Sequence, residues 1–370
     1  MDQAKEVVEK MLAEADIKIN GDRPWDIRVH NENLYKAVVR GGSLAFGEAY
    51  MAGDWDCDQI DELIAHLFRS HVVDKARVSF KSIAAYLSTF KSRGAKRRAF
   101  EIGKQHYDIG NDLFERMLDK RLTYTCGYWA TARTLDEAQE AKLDLVCRKI
   151  GLKAGQHVLD IGCGWGSFAK FAAEKYGARV TGVTVSKEQV ALGRKLCKGL
   201  PVEFLLQDYR DVEGTFDHIV SLGMFEHVGA KHYKEYMKVA HAHLKDGGLF
   251  LLHTIGTNAN DGPPDAWIDK YIFPNGNIPT VAQIGGAIEK LFVMEDWHNF
   301  GADYDKTLMA WFENFDRHWP EIAGTYGETF YRMWKYYLLA CAGNFRTRNI
   351  ELWHVVLSKN GVPGGYRSVR

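Results

Sequence analysis

The stretch "VLDIGCGWGSFAKFAAEKYG", residues 158 to 177, constrains the chain more than any other. It reads as a buried strand, a tight glycine turn and a helix, the arrangement that lets backbone approach a nucleotide closely. From about residue 142 onward, apolar runs alternate with helical patterns: "HVLDIG", "ARVTGVTV", "VEFLLQD", "HIVSLG" and "GLFLLHTIG" are five candidate buried parallel strands. Such alternation predicts an α/β doubly wound sheet. In that architecture ligands lie beyond the carboxyl ends of the strands, so the residues just after each run are the ones to inspect.

A nicotinamide site favours GxGxxG, whereas Gly162, Gly164 and Gly166 give GxGxG after Asp160. With an acid two residues before the first glycine, the spacing resembles motif I of class I S-adenosylmethionine-dependent methyltransferases. Many of those enzymes place an acid at the end of the second strand for the ribose hydroxyls. Here "GVTVSKEQ" offers Thr184, Ser186 and Gln189 instead, so the binding scheme must belong to a particular subfamily.

At 370 residues the chain is long enough for a main domain with an appendage. Its 48 basic and 48 acidic residues cancel, which removes any whole-chain argument for nucleic acid or an acidic substrate. The six cysteines, 57, 126, 147, 163, 197 and 341, form no CxxC pair, and "MDQAKEVVEK" has no apolar stretch resembling a signal peptide. The expectation is a reduced, cytoplasmic protein. No run approaches the roughly 20 apolar residues that span a bilayer, so membrane contact is expected to be peripheral, at the inner face.

A small, mainly helical N-terminal domain is predicted over residues 1–85, with a short hairpin in "DIKINGDRPWDIRVHN" and an amphipathic helix near "IDELIAHLFRS". A basic linker at 86–100 follows, and 101–370 is the expected catalytic domain with lipid-binding insertions. The segment "KSRGAKRRAFEIGK" holds six basic residues and one acid beside Phe90 and Phe100. It reads either as a solvated linker or as a patch for anionic lipid head groups, where each Lys or Arg contributes about 1 kcal/mol. No known nucleic-acid motif surrounds it. The stripe Leu308, Trp311, Phe312, Phe315 and Trp319 has helical spacing and suits a core or an acyl-channel wall. "TNANDGPPDAWIDKYIFPNGNIPT" is the candidate lid, and the tail "SKNGVPGGYRSVR" reads as mobile.

Taken together, "LTYTCGYW", "DIGCGWG", "VTVSKEQ", "LQDYRD", "GMFEHVG", "LLHTIG" and "HNFGADYDKTLMAW" closely resemble cyclopropane-fatty-acyl-phospholipid synthases, relatives of the mycolic acid cyclopropane synthases. The resemblance covers essentially the whole chain. It implies a Rossmann-like class I methyltransferase fold and transfer of the sulfonium methyl of S-adenosylmethionine to the cis double bond of an unsaturated acyl chain in a membrane phospholipid. Loss of a proton from the added methyl then closes a cyclopropane ring. It further implies a homodimer and a bound bicarbonate as base, with Cys126, Glu226, His253, Ile255 and Tyr304 as its ligands. For the cofactor it assigns Tyr124 and Thr125 to the methionine end, and Asp160, Gly162, Cys163, Gly164 and Gly166 to the glycine turn. Thr184 and Gln189 fall on the ribose side, with Asp208 and Tyr209 near the adenine.

The chemistry makes sense of those residue types. An alkene is a poor nucleophile and its methylated product a carbocation, so the site must be dry and lined with π faces, for which Tyr124, Tyr128, Trp129, Phe225 and Tyr304 are available. Bicarbonate is both donor and anion: Glu226 suits its O–H, while His253, the Tyr304 hydroxyl and backbone N–H groups near Cys126 and Ile255 suit its oxygens. Glu226, His227 and His253 could instead hold a metal, but neighbours on an extended segment point apart, and His227 reads as structural. His241 and His243 face apart on a predicted helix. Cys126 with His253 could form a thiol-histidine nucleophile, yet a thiolate beside S-adenosylmethionine would itself be methylated. Cys341 in "LLACAGNF", a nucleophile candidate for the resembled family, sits in apolar helical surroundings that suit a core cysteine.

Overall fold

The computed structural model describes residues 3–73, 110–258 and 264–370. The basic segment at 91–104 and the 86–100 linker lie outside the described residues, as does the 259–263 part of the candidate lid. The chain packs as two compact units, one drawing its described residues from 3–73, 264–274 and 308–349, the other from 110–258, 275–307 and 350–370. This is not the linear division expected: residues 308–349, assigned to the catalytic domain from sequence, pack with the N-terminal segment.

The helical unit shows why. In the helix Glu328–Arg346, Trp334, Leu338, Ala342 and Phe345 recur at helical spacing and are buried. Gly343 lets the helix press against Ile60–Arg69, since a Cβ there would lie 2.3 Å from the Asp61 carbonyl oxygen. Arg346 ties the same pair through Asp61 and Glu62 at 2.7 and 2.8 Å. Arg332 donates to the Trp55 carbonyl and to Asp56, and its guanidinium covers the Tyr50 ring at 4.1 Å. Of the stripe on Ala302–Tyr326, Leu308, Trp311 and Phe315 are buried as core, with Phe315 stacked on Tyr331, whereas Phe312 and Trp319 are half-buried. The expected local hairpin does not form. Strand β1 (Arg28–Val29) pairs with β2 (Trp55–Asp56), while buried Asp26 closes the preceding loop by accepting from the Lys18 and Arg23 backbones.

The other unit holds a seven-stranded sheet, in spatial order residues 202–206, 179–184, 157–161, 218–222, 249–256, 351–358 and 293–299. The five expected strands are present and parallel: β3 (His157–Ile161), β4 (Arg179–Thr184), β5 (Val202–Leu206), β6 (His218–Leu222) and β7 (Leu249–Gly256). Two further strands, β8 (Val293–Asn299) and β9 (Glu351–Ser358), add on antiparallel. Strand periodicity sends Leu159, Ile219, Phe250, Leu252 and Val355 to one face, against Tyr236 and Met237. Val158, Val220, Leu251 and Val356 face the other side, against Leu143 and Phe168.

The tail is fastened rather than mobile. Ser358 Oγ and the Val362 N–H donate to Glu295, the Tyr366 hydroxyl donates to the Lys149 carbonyl, and Ser368 and Arg370 donate to Asp296. Asp296 also accepts from Lys149 Nζ, a fully buried ammonium, at 3.1 Å. These donors hold the Asp296 carboxyl down at about 2 although burial pushes it up. Its folded value lies below the ordinary 3.8, so its stabilisation is complete above about pH 4 and is lost as the pH falls through about 2. Asp296→Asn leaves Lys149 buried without its counter-charge and is expected to cost about 3–5 kcal/mol. Urea unfolding checks this; a change below about 1 kcal/mol would show the ion pair to be incidental.

Candidate active site

The chain leaves β3 for β4 and β5 on one side and returns to β6 and β7 on the other, so the loops after β3 and β6 diverge at a topological switch point. At the first of these loops Gly162, Gly164 and Gly166 have φ of +81°, +55° and +87°, a region that favours glycine. A Cβ on Gly162 would lie 2.6 Å from the Met224 Cβ, and one on Gly166 would lie 2.4 Å from Phe204. A Cβ on Gly164 would meet nothing within 4 Å. The turn is therefore packed on two sides and open on the third, as close approach by a ligand requires. Asp160 is buried beneath it, its carboxyl pushed up to about 7 by burial against the pull of Lys142. Cys163 is a packing residue: its side chain fills the space over Gly182, and burial holds its thiol neutral.

At the exit of β4, Thr184 Oγ1 donates to Gln189 Oε1 at 2.7 Å, and Ser186 caps the helix Lys187–Leu196 by accepting from the Gln189 N–H. Thr184 and Gln189 thus come together as expected, already bonded to each other. Beyond β5, Asp208 accepts from Arg210 Nε and its terminal nitrogen, both at 2.7 Å. Tyr209 is buried with its ring 4.9 Å from Tyr236, so it belongs to the core wall.

The segment 124–129 is held from two directions. Lys142 Nζ, fully buried, donates to Thr125 Oγ1 at 2.6 Å, and Gln139 donates to the Thr125 carbonyl at 2.7 Å. Burial lowers the Lys142 ammonium to about 8 against the carboxylate of Asp119. The Thr307 hydroxyl accepts from the Gly127 N–H and from Trp129 Nε1, and Asp303 accepts from the Trp129 N–H at 2.7 Å. Tyr124 packs edge-on to Phe114. Lys142, Gln139, Asp303 and Thr307 escaped sequence reasoning, because nothing in "EAQEAKLD" distinguishes a buried lysine from a solvated one.

After β6, Phe225–His227 forms a 3-10 turn, not the extended segment expected. Gly223, at φ +74°, sits against Thr125, where a Cβ would lie 2.6 Å from the Thr125 methyl, and its N–H donates to the His253 carbonyl. Glu226 Oε1 accepts from the Ile255 N–H at 2.6 Å; its other oxygen is buried with no partner among the described residues. Burial pushes its carboxyl up to about 7. His253 is buried, with Nδ1 2.9 Å from His354 Nε2 and with Nε2 unpartnered among the described residues. Tyr304 is buried in the first turn of Ala302–Tyr326.

Two expectations change. The Ile255 N–H is taken by Glu226, and the Gly127 N–H by Thr307, so neither is the open donor anticipated. Phe225 is stacked on Tyr233 at 4.2 Å within the core, not a bare π face. Cys126 donates to the Gly127 carbonyl, and burial with the nearby charge of Asp303 holds its thiol well above the ordinary range, which leaves it unsuited to nucleophilic attack. Burial likewise pushes the Cys341 thiol, in the helical unit, up to about 12. His227 is held neutral, its value lowered to about 4 by burial. Among the described residues no three His, Cys, Asp or Glu side chains converge as metal ligands would.

The Glu226 shift has a measurable consequence. Its folded value lies above the ordinary 4.5, so stability is full below about pH 4.5 and falls as the pH rises through about 7. The loss amounts to about 3 kcal/mol. Glu226→Gln is expected to remove this share, making the fall of urea-derived stability between pH 4.5 and 7 shallower while buried Asp160 keeps its own share; an unchanged slope would contradict the buried Glu226 carboxyl described above.

Comparison with known proteins accords with this geometry. Residues 94–355 match the family model "Mycolic acid cyclopropane synthetase". The chain is 51% identical over 368 residues to the cyclopropane-fatty-acyl-phospholipid synthase of Escherichia coli strain K12, covering 98% of this chain and 95% of that one. It is 39% identical over 277 residues to a probable fatty acid methyltransferase of Pseudomonas putida, covering 71% and 70%. Among solved structures, mycolic acid cyclopropane synthase CmaA1 complexed with SAH and CTAB superposes with a TM-score of 0.66 at 32% identity, covering 70% of this chain and 98% of that one. The doubly wound sheet, the open glycine turn at its switch point and these relationships together place the chain in the mycolic acid cyclopropane synthetase family, as a class I S-adenosylmethionine-dependent methyltransferase.

Proposed function

We propose that this enzyme cyclopropanates unsaturated acyl chains of membrane phospholipids. The alkene attacks the sulfonium methyl of S-adenosylmethionine, the carbon–sulfur bond breaks with its electron pair leaving on S-adenosylhomocysteine, and the acyl chain becomes a carbocation. One proton then leaves the added methyl as its C–H pair closes the three-membered ring. The reading rests on its 51% identity to a cyclopropane-fatty-acyl-phospholipid synthase across nearly the whole chain.

The observation that supports a bound anion as base is the pair of buried atoms left over at the exits of β6 and β7. Glu226 Oε2 and His253 Nε2 are both buried and both without a partner among the described residues. An unsatisfied buried polar atom costs about 1–3 kcal/mol, so such a pair is understandable where a ligand completes it. Bicarbonate fits the ionised carboxylate: above about pH 7 Glu226 accepts its O–H, while His253 donates to an oxygen, with the Tyr304 hydroxyl as a further donor. Bound there, it would supply the acceptor for the departing proton. Glu226 and His253 orient it, and the neutral Cys126 adds no competing nucleophile. We further propose that the enzyme works as a peripherally bound homodimer at the inner face of the membrane, the basic segment 91–104 meeting anionic head groups. No helix among the described residues is long and apolar enough to cross a bilayer.

The similarity to a probable fatty acid methyltransferase favours one alternative, methylation without ring closure. Mass spectrometry of dioleoylphosphatidylethanolamine vesicles incubated with enzyme and S-adenosylmethionine separates the two. The proposal expects acyl chains heavier by CH2 that resist mild hydrogenation; a methylene-branched or hydroxylated chain contradicts it. Glu226→Gln and Tyr304→Phe are expected to lower turnover by about a hundredfold or more. S-adenosylhomocysteine affinity should stay within about threefold. A parallel loss of that affinity would remove both residues from the proton-transfer role.

A further inference from the structure

We infer that His354 is a positioning residue for this reaction: it donates Nε2–H to His253 Nδ1 and thereby fixes His253 as the tautomer whose Nε2–H points to the anion. The inference rests on the proposed anion site and adds a residue that lies outside the recognised motifs.

The geometry comes from the antiparallel end of the sheet. His253 on β7 stands directly opposite His354 on β9, and His354 directly opposite His298 on β8, so the three imidazoles lie abreast on one face. A bulge between Met294 and Asp296 sets this register, since without the extra residue Trp297 would face His354. The bulge residue Glu295 is itself held by Ser358 and Val362. His253 Nδ1 and His354 Nε2 are 2.9 Å apart, a distance that demands one proton between them.

Two arrangements satisfy that contact. If His253 donates, its Nε2 is left as a bare lone pair toward the anion, and His354 carries a buried N–H on Nδ1, where it has no partner among the described residues. If His354 donates, His253 Nε2 carries the hydrogen that an anion needs, and His354 Nδ1 is left only a lone pair. The second arrangement leaves no orphaned buried donor and no lone pair against a negative charge. A doubly protonated ring is disfavoured for both residues, which are buried near the Lys149 and Lys142 ammonium groups. Phe300, 4.8 Å from His354 and 6.2 Å from His253, together with Tyr128 packed on Phe300, walls the pair on that side. The His354–His253–anion order is that of an outer partner orienting an inner ligand, a relation whose loss typically costs about 10–100-fold.

The test uses the full chain labelled with 15N-histidine. Long-range 1H–15N spectra at neutral pH are expected to show His253 protonated at Nε2 and His354 at Nε2; protonation of His253 at Nδ1 overturns the inference. His354→Gln keeps an N–H donor, while His354→Phe removes it. On dioleoylphosphatidylethanolamine vesicles, His354→Phe is expected to lose about 10–100-fold in kcat with KM for S-adenosylmethionine within about twofold. His354→Gln should restore most of the rate. Equal rates for the two variants, or KM rising in step with the loss of kcat, would reduce His354 to a packing residue. If His354→Phe does not fold, the wild-type tautomer alone decides. A wild-type rate unaffected by removing bicarbonate, with His253 still protonated at Nε2, would sink the anion reading and leave the tautomer assignment standing.

Discussion

The hydrogen bond from the Ile255 N–H to Glu226 Oε1 joins the exits of two adjacent parallel strands, and most of the site depends on it. It anchors the 3-10 turn after β6 to β7 and commits one carboxylate oxygen, leaving the other free for a ligand. From that turn the contacts run outward in close sequence. Gly223 abuts Thr125, Met224 abuts Gly162, and the Gly223 N–H reaches the His253 carbonyl. Each is a place where backbone meets a neighbour with no room for another atom. The glycine turn, the 124–129 segment and the acid are thereby set in one arrangement.

Burial then decides which groups are charged. Asp160 and Glu226 are both pushed up to about 7, Lys142 is drawn down to about 8, and the Cys126 thiol is held neutral. In a medium that penalises charge this strongly, the proposed carbocation would be spared attack by thiolate or water, and the proposed anion would gain more from each hydrogen bond than in solvent. The same condition makes the tautomer of a neutral histidine matter, because the position of a single proton decides whether His253 Nε2 presents a donor or a lone pair to a ligand.

The parallel half of the sheet was legible because its strands are continuous apolar runs that punctuate helices, and the glycine turn because its three positive-φ positions demand glycine. The antiparallel strands were not. "ELWHVVLS" follows two long helices and gives no sign that it inserts between β7 and β8, and the bulge that aligns His298 is set by tertiary contacts of Glu295. The tail looked mobile for its glycines and proline, yet Asp296 and Glu295, more than 60 residues earlier, hold it. Glu226, His253, Tyr304 and Cys126 were assigned to the site through family resemblance alone. That the Ile255 N–H is occupied, that Lys142 is buried beneath Thr125, and that residues 308–349 join the N-terminal segment are matters of three-dimensional packing that local spacing does not encode.

The central claim is that Glu226 and His253 cradle a bicarbonate beside the methyl donor. A 13C NMR titration of the full-length protein with 13C-bicarbonate, in the presence of S-adenosylhomocysteine, tests it most directly. The account predicts a saturable bound resonance that disappears in Glu226→Gln while S-adenosylhomocysteine remains bound. A spectrum showing only free bicarbonate, or a bound signal that survives Glu226→Gln unchanged, would contradict it.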